Sequence, residues 1–284
     1  MIAKERPLPI KILATEALLR RLPDDVENQL LIEKDLAIRK AGRRGEESAD
    51  YYVHKLPDKD FTIFHDLRLS NGQDFFLIDT LIITPTFALI LEIKNISGTL
   101  YFDSKFKQLI RYKNDHEDGF LDPISQAERQ KRELGNWLAK KNIILPIEFL
   151  VVISNPSTII KTDPQNYRAF KYVLHAHEII ERVGKLKTTY REEKLAKRDI
   201  QKLARILIKN HTPETFNILE YYKISADSLK KGVQCSKCKI GIMERIYGQW
   251  QCTVCQYKDK AAHLNALIDY RLLIGTSITN GQFC

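Results

Sequence analysis

Two adjacent apolar runs, FFLIDTLIIT at residues 75–84 and FALILEIKN at residues 87–95, carry carboxylates where a protein core belongs. Runs of this length and β-branched content read as buried strands, and Thr84-Pro85-Thr86 links them tightly. Asp79 interrupts the first, while Glu92 and Lys94 stand at the polar end of the second. Alternation along a strand sets Glu92 and Lys94 on one face, about 6–7 Å apart. Buried charge needs a partner, because its hydration is lost on folding. An Asp79–Lys94 ion pair is one solution, of little net stability. The other is a divalent cation held by Asp79 and Glu92, with Lys94 orienting or polarising the attacking water. Hard oxygen ligands with open water positions suit Mg²⁺ or Mn²⁺, which activate water and stabilise charge on a phosphate.

Upstream, a long helix from about Asp24 to Lys55 is ended by Pro57, with a shorter helix near Ile10–Arg20 before it. In the long helix Gly42, Ala49 and Val53 lie at i−4, i+3 and i+7 from Glu46. That spacing turns Glu46 onto a small, apolar face, whereas Glu47 can pair with Arg43 at i−4 and stay solvated. Strands follow at Phe61–Leu69, Phe75–Thr84, Phe87–Lys94, Gly98–Phe102 and Gln108–Tyr112. Asn71-Gly72 forms the first hairpin turn. Asp122 caps a helix that has Pro123 at its first position and runs to about Lys141, ahead of a buried strand at Ile147–Ser154. Beyond Asn155-Pro156 the pattern reads as helical and charged, through His177–Leu186 and Glu193–Asn210. The order helix, strands, helix, strand predicts an α/β fold, a mixed sheet flanked by helices.

The set Gly45-Glu46, Asp79 and, after twelve residues, Glu92-Ile93-Lys94 resembles the PD-(D/E)xK nuclease superfamily. The segments RRGEE (43–47), FFLIDTLIITP (75–85), FALILEIKNISG (87–98) and DPISQ (122–126) are similar to the nuclease-related domain, NERD. The resemblance implies a restriction-endonuclease-like core over residues 40–155, with Asp79 and Glu92 as Mg²⁺ ligands and Lys94 as the catalytic lysine. Glu46 would complete the acidic site or bind a second metal. Gln126 would position phosphate or water, and its plain alternative is a helix-start residue. The activity implied is metal-dependent hydrolysis of phosphodiester bonds in DNA. The alternative is a non-catalytic module that binds nucleic acid through the same fold.

Near the C-terminus Cys235-x2-Cys238 is followed, after thirteen residues, by Cys252-x2-Cys255. Two such pairs flanking a hairpin at Ile242–Gln251 suit one tetrahedral Zn²⁺ with four thiolate ligands and resemble a zinc ribbon. Lys237, Lys239, Arg245, Trp250, Tyr257 and Lys258 mix charge with aromatic rings, as single-strand binding surfaces do; a purely structural ribbon is the alternative. Cys284 is assigned no role. The linear division expected is an N-terminal helical region (1–39), the nuclease-like core (40–155), a helical, basic extension (156–232), the ribbon (233–258) and a C-terminal helix and tail (259–284).

Lys and Arg total 45 against 36 Asp and Glu, a net charge of +9 that favours polyanionic partners. The excess concentrates in Lys185–Lys209, with nine basic and three acidic residues, although such a run is ordinarily a solvated helix face. No apolar run reaches the roughly 18 residues a membrane span needs, and the first residues do not read as a signal peptide. No membrane association is expected, and the cytoplasm is the expected location. Gly184-Lys185-Leu186-Lys187-Thr188 lacks the upstream glycine of a phosphate-binding loop. His175-Ala176-His177 has no metal-binding neighbours in sequence and reads as the start of a helix.

Overall fold

Strand β1 (Ile2–Lys4), helix α1 (Ile10–Arg21) and helix α2 (Val26–Val53) open the chain in its computed structural model, which describes residues 1–23, 26–57 and 61–279. Asp24, the expected first residue of the long helix, and Cys284 lie outside the described residues. Next come β2 (Thr62–Ser70), β3 (Phe75–Ile83), β4 (Ala88–Lys94), β5 (Thr99–Asp103), β6 (Gln108–Lys113) and β7 (His116–Leu121). Helix α3 (Pro123–Ala139), β8 (Ile147–Ile153), β9 (Ile159–Thr162), α4 (Tyr167–Tyr172), β10 (Val173–His175), α5 (Ile179–Thr189) and α6 (Lys197–Asn210) follow. The chain continues with α7 (Ile218–Tyr222), β11 (Val233–Gln234), β12 (Ile242–Ile246), β13 (Gln249–Cys252), β14 (Lys258–Asp259) and α8 (Ala262–Leu273). Contacts divide it into two units, Met1–Pro7 with Ala41–Pro213 and Leu8–Lys40 with Glu214–Cys284. Among the described residues no helix is long and apolar enough to cross a membrane.

The first unit is mixed α/β. Its six-stranded sheet has the order β1-β2-β3-β4-β8-β10. The β2–β3–β4 meander is antiparallel, while β1 joins β2, β8 joins β4 and β10 joins β8 in parallel. A second sheet, β7-β6-β5-β9, carries Leu100, Phe102 and Leu109 into the same core as α3. One face of the larger sheet is covered by α3 and α6, through residues such as Ala127, Leu134, Leu203 and Leu207. The other buries Ala49 and Val53 of α2 and Ile179 and Val183 of α5.

Helix α3 begins as its sequence dictates. The Asp122 carboxylate accepts the Ile124 and Ser125 N–H groups at 3.0 and 3.1 Å, satisfying two donors that a helix start leaves bare. Two short strands occupy the stretch after Pro156 that local pattern reads as helical. Strand β9 exists through parallel pairing with β5, and β10 through parallel pairing with β8. Such pairing is non-local, so four- and three-residue strands leave no periodicity to read. The edge strand β7 (HEDGFL) is missed for another reason: it pairs locally with β6, but it is polar and almost wholly exposed, so it shows no apolar alternation.

One irregularity prepares the site. Asp66 in β2 has a φ of 49°, left-handed and unusual for a strand residue. In the hairpin register, where His65 pairs Thr80 and Leu67 pairs Ile78, Asp66 stands across from Asp79. Leu81 and Ile83 share a core with Ile78 and Phe76, although strict alternation would send the two pairs to opposite faces. The strands therefore switch faces at Asp66 and Asp79, which opens the apolar layer to polar side chains there.

In the second unit α1, α7 and α8 enclose Ala14, Leu18, Ile32, Ile218 and Leu273. The short sheet β11-β12-β13-β14 is antiparallel and carries the cysteine pairs at its turns.

Candidate functional site

Asp79, Glu92 and Glu46 come from β3, β4 and α2, three elements separated in sequence. Glu92 is fully buried, at 1% exposure. Its carboxylate accepts from the Lys94 ammonium at 2.6 Å on one oxygen and from the Gln130 amide at 2.6 Å on the other. The Lys94 ammonium also donates to the Gln126 Oε1 at 3.1 Å. Asp79 accepts the backbone N–H of Ile93 at 2.9 Å, which ties it to the residue next to Glu92. Lys94 thus pairs with its own strand neighbour, two residues back, and the Asp79–Lys94 ion pair entertained from sequence is not formed.

Burial pushes the Asp79 carboxyl well above the ordinary carboxylate range, and the negative charges of Glu92 and Glu46 push further; the Ile93 N–H and Lys94 oppose them. Glu46 is raised to about 7, chiefly by burial, against the attraction of Arg6. Asp79 thus sits in the field of two further carboxylates, Glu92 and Glu46.

Glycine at position 45 lets α2 come this close. A Cβ there would meet Asn95 and stand 2.6 Å from the Ser154 hydroxyl, at the end of β8. On the next turn the Asn95 amide donates to the Ala41 carbonyl at 2.6 Å. Glu47 points outward, where Arg43 donates to it at 2.8 Å.

Behind Glu46 lies a polar network that sequence reasoning misses. The Arg6 side chain, 3% exposed, donates to Asp50 at 2.8 and 3.0 Å, to Asp66 at 2.5 Å, to Glu46 at 3.3 Å and to Thr80 at 2.8 Å. Burial disfavours its charge, but Asp50, Asp66 and Glu46 outweigh that and hold it protonated. Asp50 was findable, being four residues beyond Glu46 on the same helix face. Asp66 was not, because the four-residue loop 71–74 sets a register two residues away from that of a tight Asn71-Gly72 turn. Arg6 was not, because it is brought in by the parallel β1–β2 pairing across some sixty residues. Gln130 was also missed, although it lies four residues from Gln126 on α3. It is 4% exposed, and its Oε1 is buried without a partner among the described residues.

His65, 1% exposed, faces the Arg6 guanidinium at 3.2 Å and the Thr80 hydroxyl at 3.1 Å through Nδ1. Burial lowers its pKa to about 4; Asp50 opposes this and Arg6 adds to it. The folded state therefore holds His65 neutral where the unfolded chain protonates. Its contribution is complete above the unfolded value near 6.5 and is lost as pH falls toward 4. Melting temperature is expected to drop across that window, by the equivalent of about 1–3 kcal/mol. His65→Gln should flatten the slope of a pH series of thermal melts, and an unchanged slope would remove His65 as its source.

In the second unit the four sulfur atoms of Cys235, Cys238, Cys252 and Cys255 all lie within 4.8 Å of one another. Cys235 and Cys255 are 3.6 Å apart, as are Cys238 and Cys252. Thiolates around one tetrahedral zinc, each about 2.3 Å from it, stand about 3.8 Å apart, so the cluster could hold a metal ion such as zinc. The N–H groups of Gly241 and Ile240 lower the Cys238 thiol to about 6, toward the ligating thiolate. Gly241 is needed here, since a Cβ would stand 2.5 Å from the Cys252 sulfur. Beside the cluster Arg245 lies over Trp250 and Lys237 over Tyr257.

Asp79, Glu92 and Lys94, with Glu46 on α2, fall within a segment that a known family describes. Residues 41–154 match the nuclease-related domain family, NERD. No curated protein and no solved structure matches the chain. The NERD segment begins on α2 just before Gly45, ends at Ser154, and holds Glu46, Asp79, Glu92, Lys94, Gln126 and Gln130. Strand β1 with Arg6, helices α4–α6 and the cysteine cluster lie outside it.

Proposed function

We propose that this chain is a metal-dependent nuclease of the PD-(D/E)xK type, with a restriction-endonuclease-like core that hydrolyses phosphodiester bonds in DNA. The observation that carries this reading is the placing of Asp79 and Glu92 on neighbouring strands inside the NERD segment, Asp79 held by the Ile93 N–H and Glu92 paired with Lys94. The donor set fits Mg²⁺ or Mn²⁺, being made of hard oxygens whose mutual repulsion a divalent cation would remove. Asp79 and Glu92 would hold it, with Glu46 completing the acidic site. Bound there, such an ion lowers the pKa of water and neutralises charge on the phosphate. The Ile93 N–H fixes the Asp79 carboxylate, and Gln130 fixes that of Glu92. Gln126 holds the Lys94 ammonium, which would donate to the attacking water or to a phosphate oxygen.

A second reading, a nucleic-acid-binding module that does not cut, is favoured by one contact. The 2.6 Å pair of Lys94 with Glu92 balances part of the acidic charge without any metal. Incubating pure protein with labelled linear and circular DNA, in Mg²⁺, Mn²⁺ or EDTA, separates the two. Metal-dependent products support the nuclease; retained DNA without products supports the binding module.

The cysteine cluster is proposed to hold one structural Zn²⁺ and to engage nucleic acid through its cationic and aromatic surface. Reduced thiols suit a cytoplasmic place of action. Metal analysis is expected to find one zinc per chain. Cys252→Ser should lose it and unfold the ribbon, since metal binding in such small motifs contributes about 10–16 kcal/mol. Full zinc occupancy in that variant would exclude Cys252 as a ligand.

A further inference from the structure

Helix α6 lies outside the NERD segment and is the most amphipathic element of the first unit. Ile200, Leu203, Ala204 and Leu207 are buried in the core shared with α3. At about 100° per residue, Arg198, Lys202, Arg205 and Lys209 fall within an arc of roughly 60° on the opposite side. All four are exposed, and none meets a carboxylate among the described residues. The one acid on the helix, Asp199, sits about 100° away from Arg198 around it. Other helices interleave their charges, as with Arg43–Glu47 on α2 and Glu181–Lys185 on α5. Here three successive like-charge neighbours, at i+4, i+3 and i+4, repel one another along the helix.

We infer that this face of α6 is a docking surface for the phosphate backbone of duplex DNA. The inference rests on the nuclease reading and adds where the substrate is gripped away from the acidic site. Four cations in a line about 16 Å long match a row of phosphates, which present one charge per 3.4 Å of each strand. The stripe holds no aromatic ring on which an unpaired base could stack. The helix's apolar face is already in the core, so it is not free to lie in a membrane. Both ends are fixed to the larger sheet. The Lys194 and Leu195 N–H groups donate to the Pro85 carbonyl at 2.8 and 3.0 Å, and that of Thr212 donates to the Arg68 carbonyl at 3.0 Å. The stripe is thus ordered before any ligand arrives.

The test is the salt dependence of binding a 30-base-pair duplex in EDTA, for the full chain and for a variant with Arg198, Lys202, Arg205 and Lys209 all replaced by glutamine. Glutamine is a good helix former, and all four positions are exposed, so an unchanged thermal melt should certify the fold. The slope of log Kobs against log salt is expected to fall by about 3–4, with at least a tenfold loss of affinity at 50 mM NaCl. A variant exchanging lysine and arginine at the same four positions should keep the parent slope. If the parent chain cuts DNA in Mg²⁺ and the glutamine variant keeps its slope within one unit, the α6 surface is overturned while the nuclease reading stands. If the parent chain retains no duplex even at 50 mM NaCl and yields no products, both fall together.

Discussion

Asp79→Asn is expected to abolish metal-dependent cleavage while leaving the protein as stable as before, or more so. Asparagine keeps the shape of the side chain and can still accept the Ile93 N–H that fixes Asp79. It lacks the charge that would hold the metal. Losing that interaction in the transition state should cost about 4 kcal/mol, or roughly a thousandfold in rate. Stability should move the other way. Burial and Glu92 raise the Asp79 carboxyl well above its ordinary range, so the unfolded chain releases that proton at a lower pH than the folded one. Stability from this group is complete below the unfolded value and is lost as pH rises toward the folded one. The amide removes that loss, so metal-free melts near neutral pH should not fall. A gel assay on labelled DNA beside those melts reads both effects. Equal cleavage by the two proteins would place the chemistry elsewhere, and a large drop in melting temperature would make Asp79 a structural residue.

Arg6→Met should be the most destabilising single change in the first unit. It strands Asp50, Asp66 and Glu46, whose side chains are 10%, 23% and 25% exposed, without their shared cation. Removing one partner of a buried charge set costs about 3–5 kcal/mol, more than the set itself contributes. In a domain of this size that lowers the melting temperature by roughly 10 °C. Arg6→Lys should recover only part, because an ammonium cannot fork to several carboxylates as a planar guanidinium does. The deficit should shrink in acid. Burial already raises Asp66, and raises Glu46 to about 7, so both take up protons early as pH falls. Urea melts at pH 7 and pH 5 measure this. A deficit under 1 kcal/mol at pH 7 would mean that the carboxylates find water or other donors once Arg6 is gone.

These two residues mark the limits of reading a sequence like this one. The place of Asp79 could be read from its apolar background, and that of Glu92 and Lys94 from strand alternation, because both are local facts. Two charges spaced by two in such a strand must share a face whatever the rest of the chain does. Asp122-Pro123 as a helix start and the two cysteine pairs were legible for the same reason, since a cap or a chelate closes within a few residues. The partners were not. That Lys94 would also reach Gln126 depends on where α3 lies across the sheet. Arg6, β9 and β10 depend on parallel pairings that join distant segments and leave no periodic trace. Gly45 is legible as a residue but not as a requirement, because only the packed helix brings Asn95 and Ser154 against it. Composition and local period thus determined β2–β6 and β8, the start of α3, the cysteine pairs and the carboxylates set in apolar strands. Tertiary packing decided which charges meet, since burial and neighbouring charge exist only once distant segments are brought together.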